Sequence, residues 1–462
     1  MRTDLQRKML LRSANPARES NGKARGREKK MERDYEKTAK EMMAFIEKSP
    51  CSFHVIANIK KMLEEQGFIE LRENDVWRPV SGKNYYIIRG GASLIAFRIP
   101  DGNKIKGFHG TAAHSDSPAF KIKENPEIGV EKHYVTLNTE KYGGMILGSW
   151  LDRPLSVAGR VVLEGAQGLE TRLVNIDRDL LVIPGVAIHM NRDINKGVAY
   201  DPQKDMLPLY GEGGSDCVGW LLSEIAEQVG AEPEKILGHD LFLYVREQGR
   251  IFGRKGEFIL SPRLDDLQCV YACIKAFGEN VSPGYINFCA VFDHEEVGSR
   301  SGRGADSTFL EDTLYRLCSG LGLERTEYLR MLADSFLIST DNAHAMHPDH
   351  PEKSDPTNRP CLNAGIVIKY HGGQKYTTDA CSAARMKRLC RMADVPFQTF
   401  ANRSDLAGGS TLGNLSAARV PMESVDIGLP QLSMHSAVET AGVRDTWYLE
   451  SVLGCFFGGQ SG

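Results

Sequence analysis

Polar and apolar positions along this chain fall into three successive patterns. From Met31 onward Tyr35, Ala39, Met42, Met43 and Ile46 recur at helical spacing, and Ser49-Pro50 stops the run. A second helix follows, with Ile56, Ile59 and Leu63 on one face and Gly67 at its end. Short strands are predicted over 85–88, 94–98 and 106–108, parted by Gly and charged turns. The last of them runs into Gly110-Thr111-Ala112-Ala113-His114-Ser115-Asp116-Ser117-Pro118. Between 119 and 250 alternating and β-branched runs dominate, at 160–163, 171–176 and 180–183, with one helix over 217–229. After about 255 helix and strand patterns alternate. A helix from Asp266 carries Leu267, Val270, Ile274 and Phe277 on one face. Strands are predicted over 285–292, 335–340, 366–370 and 397–401, with helices near 308–333, 380–392 and 447–457.

This alternation predicts an α/β fold, a mixed and mostly parallel sheet with helices on both faces. Residues 31–118 and 251–462 would form one α/β domain, interrupted by a β-rich insert over 119–250. Residues 1–30 differ in kind: ten Lys/Arg stand against only Asp4, Glu19 and Glu28. They read as a basic, disordered extension, and Met31 is a candidate for the natural start.

Composition narrows the class. At 462 residues the chain can bury a large core without disulfide staples. A net charge of −3 gives no global attraction to nucleic acid, and no apolar run reaches the length of a membrane helix. The ten Cys are scattered without a CxxC or framework spacing, which suits reduced thiols and a cytoplasmic setting.

Metal-type residues cluster where apolar strands stop. His114 and Asp116 follow one strand as H-x-D, and Asp265-Asp266 head a helix. Asp293-His294-Glu295-Glu296 follows the run Cys289-Ala290-Val291-Phe292, and Asp341 ends Phe336-Leu337-Ile338-Ser339-Thr340. His435 lies in Gln431-Leu432-Ser433-Met434-His435-Ser436. Open α/β sheets place sites at the carboxyl ends of strands, so these residues could converge. The residue types suit a two-metal hydrolase, which needs a bridging carboxylate and terminal His and carboxylate ligands. A His/Asp/Glu set suits zinc, with cobalt or manganese as substitutes. Taken singly, Asp265-Asp266 could equally cap a helix and Glu295-Glu296 could be solvated turn residues.

Together the motifs closely resemble the M18 family of metallo-aminopeptidases, the aspartyl aminopeptidase group. They are Thr111 to Pro118, Ser261-Pro262-Arg263-Leu264-Asp265-Asp266-Leu267, Asp293 to Ser299, Asp341-Asn342-Ala343-His344-Ala345-Met346-His347-Pro348, Asn402-Arg403-Ser404-Asp405 with Gly409-Ser410-Thr411, and Gln431 to Ser436. The match covers about 40 to 460. The resemblance implies a di-zinc exopeptidase fold with two divalent ions, most simply Zn2+. Asp265 would bridge them, His114 and Asp341 would complete one shell, and Glu296 and His435 the other. Glu295 would be the general base and acid, Asp116 would orient His114, and the Asp265-Asp266 peptide bond would be cis.

The same resemblance makes the insert a dimerisation domain, with dimers assembling into a tetrahedral dodecamer. His189, in Ile183-Pro184-Gly185-Val186-Ala187-Ile188-His189-Met190, would reach a partner's substrate in trans. Lys369 and His344 would line the substrate pocket, and a cationic Lys369 would favour an acidic N-terminal residue. Where many members carry Arg-Asn-Asp and then a Cys before Gly-Ser-Thr, the chain has Arg403-Ser404-Asp405 followed by Leu406-Ala407-Gly408-Gly409, a departure that bears on the acidic preference. The expected activity is therefore removal of N-terminal residues, acidic ones preferred, from peptides. A neutral preference, a related di-metal amidohydrolase and a non-catalytic assembly or cargo protein on the same fold are the alternatives.

Overall fold

The computed structural model describes residues 16–102, 104–214 and 216–459. A nine-stranded sheet forms the centre. In spatial order its strands are Ile69–Glu70, Asn84–Arg89, Ser93–Arg98, Tyr285–Phe292, Gly107–His114, Phe336–Thr340, Glu423–Gly428, Ile366–Tyr370 and Phe397–Ala401. The four strands from Tyr285–Phe292 to Glu423–Gly428 run parallel, and antiparallel pairings flank them on both sides.

Alternate residues of these strands enter two cores, because successive strand side chains point to opposite faces. Phe288, Ala290 and Leu337 pack with the helices Phe309–Gly320 and Arg325–Ala333. Cys289, Val291 and Ile338 pack with Ser52–Glu65, Leu264–Glu279, Ala380–Met392 and Asp445–Phe457. A sheet covered on both faces explains why its strands read as continuous apolar runs. The predicted mixed α/β sheet is the one observed.

Residues 119–245 build a six-stranded antiparallel sheet, ordered Gly168–Asn175, Leu155–Gly165, Ile236–Val245, Ala119–Val130, Tyr134–Tyr142 and Leu209–Glu212. It has its own core around Phe120, Trp150, Val157, Leu221 and Leu241. A third sheet of five short strands joins Arg250–Phe252, Phe258–Ser261, Glu439–Gly442, Pro430–Leu432 and Ala343–His344. It ties the segment before Asp265 to the segments carrying His344 and His435.

Four expectations need correction. The strand expected over 106–108 runs from Gly107 to His114, so His114 ends the strand instead of following it. Gly110-Thr111-Ala112-Ala113 is too small and mild in hydropathy to announce a strand, yet all eight residues are buried. The helix expected from 217 begins at Trp220, after Gly219 at φ 82. The strand expected over 180–183 is held only by isolated bridges, Leu155 to Leu181, Leu151 to Ile183 and Val182 to Leu209. The first helix starts at Pro16 and runs to Glu47, so the expected boundary at Met31 is not an element boundary. The rest of that extension, 1–15, lies outside the described residues.

Candidate metal centre and active site

Tyr285–Phe292, Gly107–His114 and Phe336–Thr340 are neighbours in the sheet and end on the same side. Their ends deliver Asp293 to Glu296, His114 to Asp116, and Asp341 to one place. The helix Leu264–Glu279 brings Asp265 and Asp266 in its first turn, where the Asp265-Asp266 bond is cis, as the resemblance implied. His435 arrives from the turn after Pro430–Leu432, with its backbone in the left-handed region at φ 65.

The two histidines are held in the same way. Nδ1 of His114 lies 3.0 Å from the main-chain oxygen of Asp116. A carbonyl can only accept, so Nδ1 donates to it and Nε2 is left to take a cation or a second proton. Nε2 faces Asp265 Oδ1 at 3.3 Å and Asp341 Oδ1 at 3.8 Å. His435 gives its Nδ1 proton to the main-chain oxygen of Gly144 at 2.7 Å. Its Nε2 faces Glu296 Oε2 at 3.3 Å and Asp265 Oδ2 at 3.5 Å. Asp265 thus turns one oxygen to each histidine.

Ligand atoms of His114, Asp265, Asp266 and Asp341 lie within 4.8 Å of one another, as do those of Asp265, Glu296 and His435, and those of His114, Glu295 and Glu296. Asp265 Oδ1 and Glu296 Oε1 are buried without a hydrogen-bond donor. Buried acceptors converging on buried lone pairs are costly unless a cation or proton joins them. The nitrogen and carboxylate donors are those that zinc takes. The residues present therefore fit a divalent metal ion.

Protonation follows the same crowding. Burial opposes charge on His114, but Asp116, Asp265 and Asp341 outweigh it and hold its pKa well above the ordinary value. For His435 burial is likewise overcome, chiefly by Asp265 and Glu296, and its pKa rises to about 10. Burial would raise Asp265, yet His114 and His435 hold it below the usual carboxylate range. Glu295 rises to about 8 through burial, with Asp341 and Asp116 adding to the effect and His114 opposing it.

Asp116 lies where the sequence placed it but touches more than His114. Its carboxylate accepts the main-chain N–H groups of Glu295 at 3.1 Å and Glu296 at 3.2 Å, and the Tyr142 hydroxyl at 2.6 Å. His114 Nδ1 is 3.4 Å from the same carboxylate. Asp116 therefore fastens the Glu295-Glu296 turn beside the histidine. Sequence reasoning missed three supports. Tyr142 and the Gly144 carbonyl come from the end of Tyr134–Tyr142 and the turn after it, and Glu439 comes from the third sheet. Glu439 is buried and accepts the N–H of Asp265 at 3.0 Å and of His435 at 2.7 Å. Burial, then Asp265, pushes its pKa up to about 8. Gly143 stands at φ 80, and a Cβ there would lie 3.2 Å from Glu296 Cβ, so the close approach of this turn needs glycine.

Lys369 and His344 line a cavity of about 310 Å³ beside the cluster, with Glu295, Asp341, Tyr376, Phe400 and Thr411. Lys369 is buried; its ammonium donates to the Asn342 carbonyl at 2.8 Å and to Asp341 Oδ2 at 3.2 Å. Burial acts against its charge, and Asp341 more than reverses this, so it stays an ammonium. His189 is exposed on the 184–200 segment and is not brought to this cluster.

The described helices include none long and apolar enough to cross a membrane. A family model described as "Aminopeptidase I zinc metalloprotease (M18)" matches residues 45–457. A probable M18 family aminopeptidase 2 of Clostridium novyi (strain NT) is 45% identical over 426 residues, covering 91% of this chain and 98% of that protein. Its namesake in Pseudomonas aeruginosa (strain UCBPP-PA14) is 38% identical, covering 90% of this chain and 97% of that protein. Among solved structures, the cryo-EM structure of the Ape4 and Nbr1 complex matches with a TM-score of 0.89 at 34% identity, over 93% of this chain and 86% of that one. The S. cerevisiae mApe1 dodecamer matches with a TM-score of 0.79 at 25% identity, over 92% and 97%. The matched span contains every residue of the cluster, and the chain belongs to the M18 family of zinc metallo-aminopeptidases.

Proposed function

We propose that this chain is a dinuclear aminopeptidase that hydrolyses N-terminal residues, acidic ones first, from peptides. One observation carries the dinuclear reading: Asp265 turns one oxygen to each of two histidines whose other nitrogen is spent on a main-chain carbonyl. In this reading His114 and Asp341 hold one ion with Asp265, and Glu296 and His435 hold the other. Bound there, two divalent ions, most simply zinc, supply Lewis acidity at the scissile carbonyl and acidify water.

The chain's own residues do the rest. Glu295 faces the same cavity as Asp265 and Asp341. It takes a proton from the attacking water and returns it to the amine that leaves as the C–N bond breaks. Asp116 keeps the Glu295-Glu296 turn and the His114 ring in register. Lys369 sets positive charge in the cavity wall and, with His344, selects Asp or Glu as the residue removed.

The insert, 119–250, is in this proposal the dimerisation domain of the outer α/β domain formed by 31–118 and 251–462. The S. cerevisiae mApe1 relative is a dodecamer, which supports a homo-oligomer of the same kind here. Val186, Ile188 and Met190 are exposed around His189, as a segment that seats on another copy would be. His189 then steadies the developing oxyanion in a partner's site. The cysteines form no disulfide among the described residues, which supports a reducing, cytoplasmic setting.

The test is hydrolysis of Asp-, Glu-, Leu- and Lys-amide chromogens before chelation, after it, and after zinc, cobalt or manganese is restored. Metal-restored cleavage led by Asp and Glu is expected. Cleavage led by Leu would discard the acidic pocket and keep the mechanism, while no cleavage of any amide would overturn the function.

A further inference from the structure

Asp426 lies within the strand Glu423–Gly428 and is 1% exposed. It belongs to none of the converging metal-type groups. Its Oδ2 accepts the main-chain N–H of Thr377 at 2.6 Å and the Thr377 hydroxyl at 3.0 Å, and its Oδ1 accepts the Thr411 hydroxyl at 2.9 Å. Its main-chain N–H donates to the Thr378 hydroxyl at 3.0 Å. One buried carboxylate thus ties together two segments that are distant in sequence.

Both segments are walls of the site. Tyr376, beside Thr377, lines the cavity that holds Lys369 and His344. Ser410 and Thr411 line that cavity and also a second one, shared by Glu296, Val297, Arg300 and His435. The two cavities meet at Glu295 and His435, so Ser410-Thr411 borders the site on both sides of the reacting centre. Thr411 occupies the N-cap position of the helix Leu412–Arg419 yet makes no side-chain cap, because its hydroxyl goes down to Asp426. The carboxylate therefore sits under a helix N-terminus, where the backbone dipoles favour negative charge. A Cβ at Gly413 would fall 2.4 Å from Asp426 Oδ1 and 2.6 Å from Ser339 Oγ, so the bare Cα lets the helix settle there.

We propose that Asp426 is a positioning residue for the peptide substrate, fixing the spacing of the walls at Thr377 and Thr411 between which the N-terminal residue is seated. The inference rests on the aminopeptidase reading above. Asp426 touches no reacting atom, so its loss weakens substrate binding and spares the chemical step.

The test uses the full-length zinc-loaded protein and its best amide chromogen, with zinc content and melting temperature measured alongside. Loss of a charge-assisted hydrogen bond predicts a KM about tenfold higher in Asp426→Asn and Thr411→Val. The kcat should stay within about twofold of the unsubstituted protein, since transition-state contacts are untouched. Thr411→Ser keeps the hydroxyl and should keep KM, which carries the test if Asp426→Asn does not fold. Gly413→Ala should follow Asp426→Asn, and Gly372→Ala, where a Cβ meets nothing and no cavity of the site is lined, should not. An active enzyme whose KM is unchanged in Thr411→Val, whatever its melting temperature, overturns this inference alone. An unsubstituted protein that cleaves no amide overturns the aminopeptidase reading and this inference with it.

Discussion

Two histidines at opposite ends of one strand, Gly107–His114, are equally buried at 1% exposure and live in opposite surroundings. His109 stacks on Tyr285 at 3.8 Å, with Phe456 at 4.7 Å on another side and the Ser282 hydroxyl 3.3 Å from its Nδ1. Burial, then Arg385 and Lys106, pushes its pKa down to about 3. His114 is ringed by carboxylates that push its pKa the other way. Burial alone therefore says nothing about which histidine does chemistry. The sign of the charge around the ring separates a neutral packing element, His109, from the proposed metal ligand, His114.

The comparison can be broken most sharply at the ligand end. His114→Ala or Asp265→Asn should lower turnover by at least about 10³-fold, with zinc content by elemental analysis falling below that of the unsubstituted protein. His109→Gln should leave both unchanged, and equal losses from His109→Gln would erase the contrast. Next comes Glu295→Gln, which should cost about 10² to 10⁴ in kcat with zinc retained, because it removes a proton carrier and not a proposed ligand. His189→Ala should lower turnover about 10²-fold while light scattering shows the same assembled mass; unchanged turnover would refute a role in trans.

Smaller effects test the supports. Tyr142→Phe and Glu439→Gln should weaken zinc retention against a chelator by about tenfold, as losses of groups that orient ligands do. The last effect is on stability and belongs to His109 itself. Its folded pKa lies below the unfolded value near 6.5, so the unfolded chain binds the extra proton between those values. Stability is full above pH ~6.5 and declines as pH falls toward about 3, by at most ~1.4 kcal/mol per pH unit from this group. Denaturant midpoints of His109→Phe at pH 5 and pH 7 should differ less than those of the unsubstituted protein. An equal difference would mean that His109 titrates normally.

Much of this was legible in the sequence. Tyr285–Phe292 and Ile366–Tyr370 stood where their apolar runs placed them, because strands covered on both faces carry no polar alternation to blur their limits. The acids and histidines of the cluster could be picked out because they interrupt such runs at strand ends. The Gly110 to Ala113 stretch hid a strand, since small residues fill the tight space beside Phe288, where a Cβ on Gly110 would lie 2.0 Å from the ring. Tyr142, Gly144 and Glu439 could not be read at all. Their contacts join segments that only the assembled sheets bring together, and a tyrosine, a glycine carbonyl and a glutamate in Glu439–Gly442 carry no pattern of their own.

The Gly144 carbonyl and the Tyr142 hydroxyl reach the cluster from outside the nine-stranded sheet, so under the proposed ligand set metal loading and the seating of the insert would be linked equilibria. A cation that draws His435 and Asp116 into place also clamps the turn that supplies those two groups. By reciprocity, whatever holds that turn more firmly tightens the cation by the same factor. If the insert is the contact between copies proposed above, dilution that loosened it would be felt as a fall in zinc affinity, with no ligand altered.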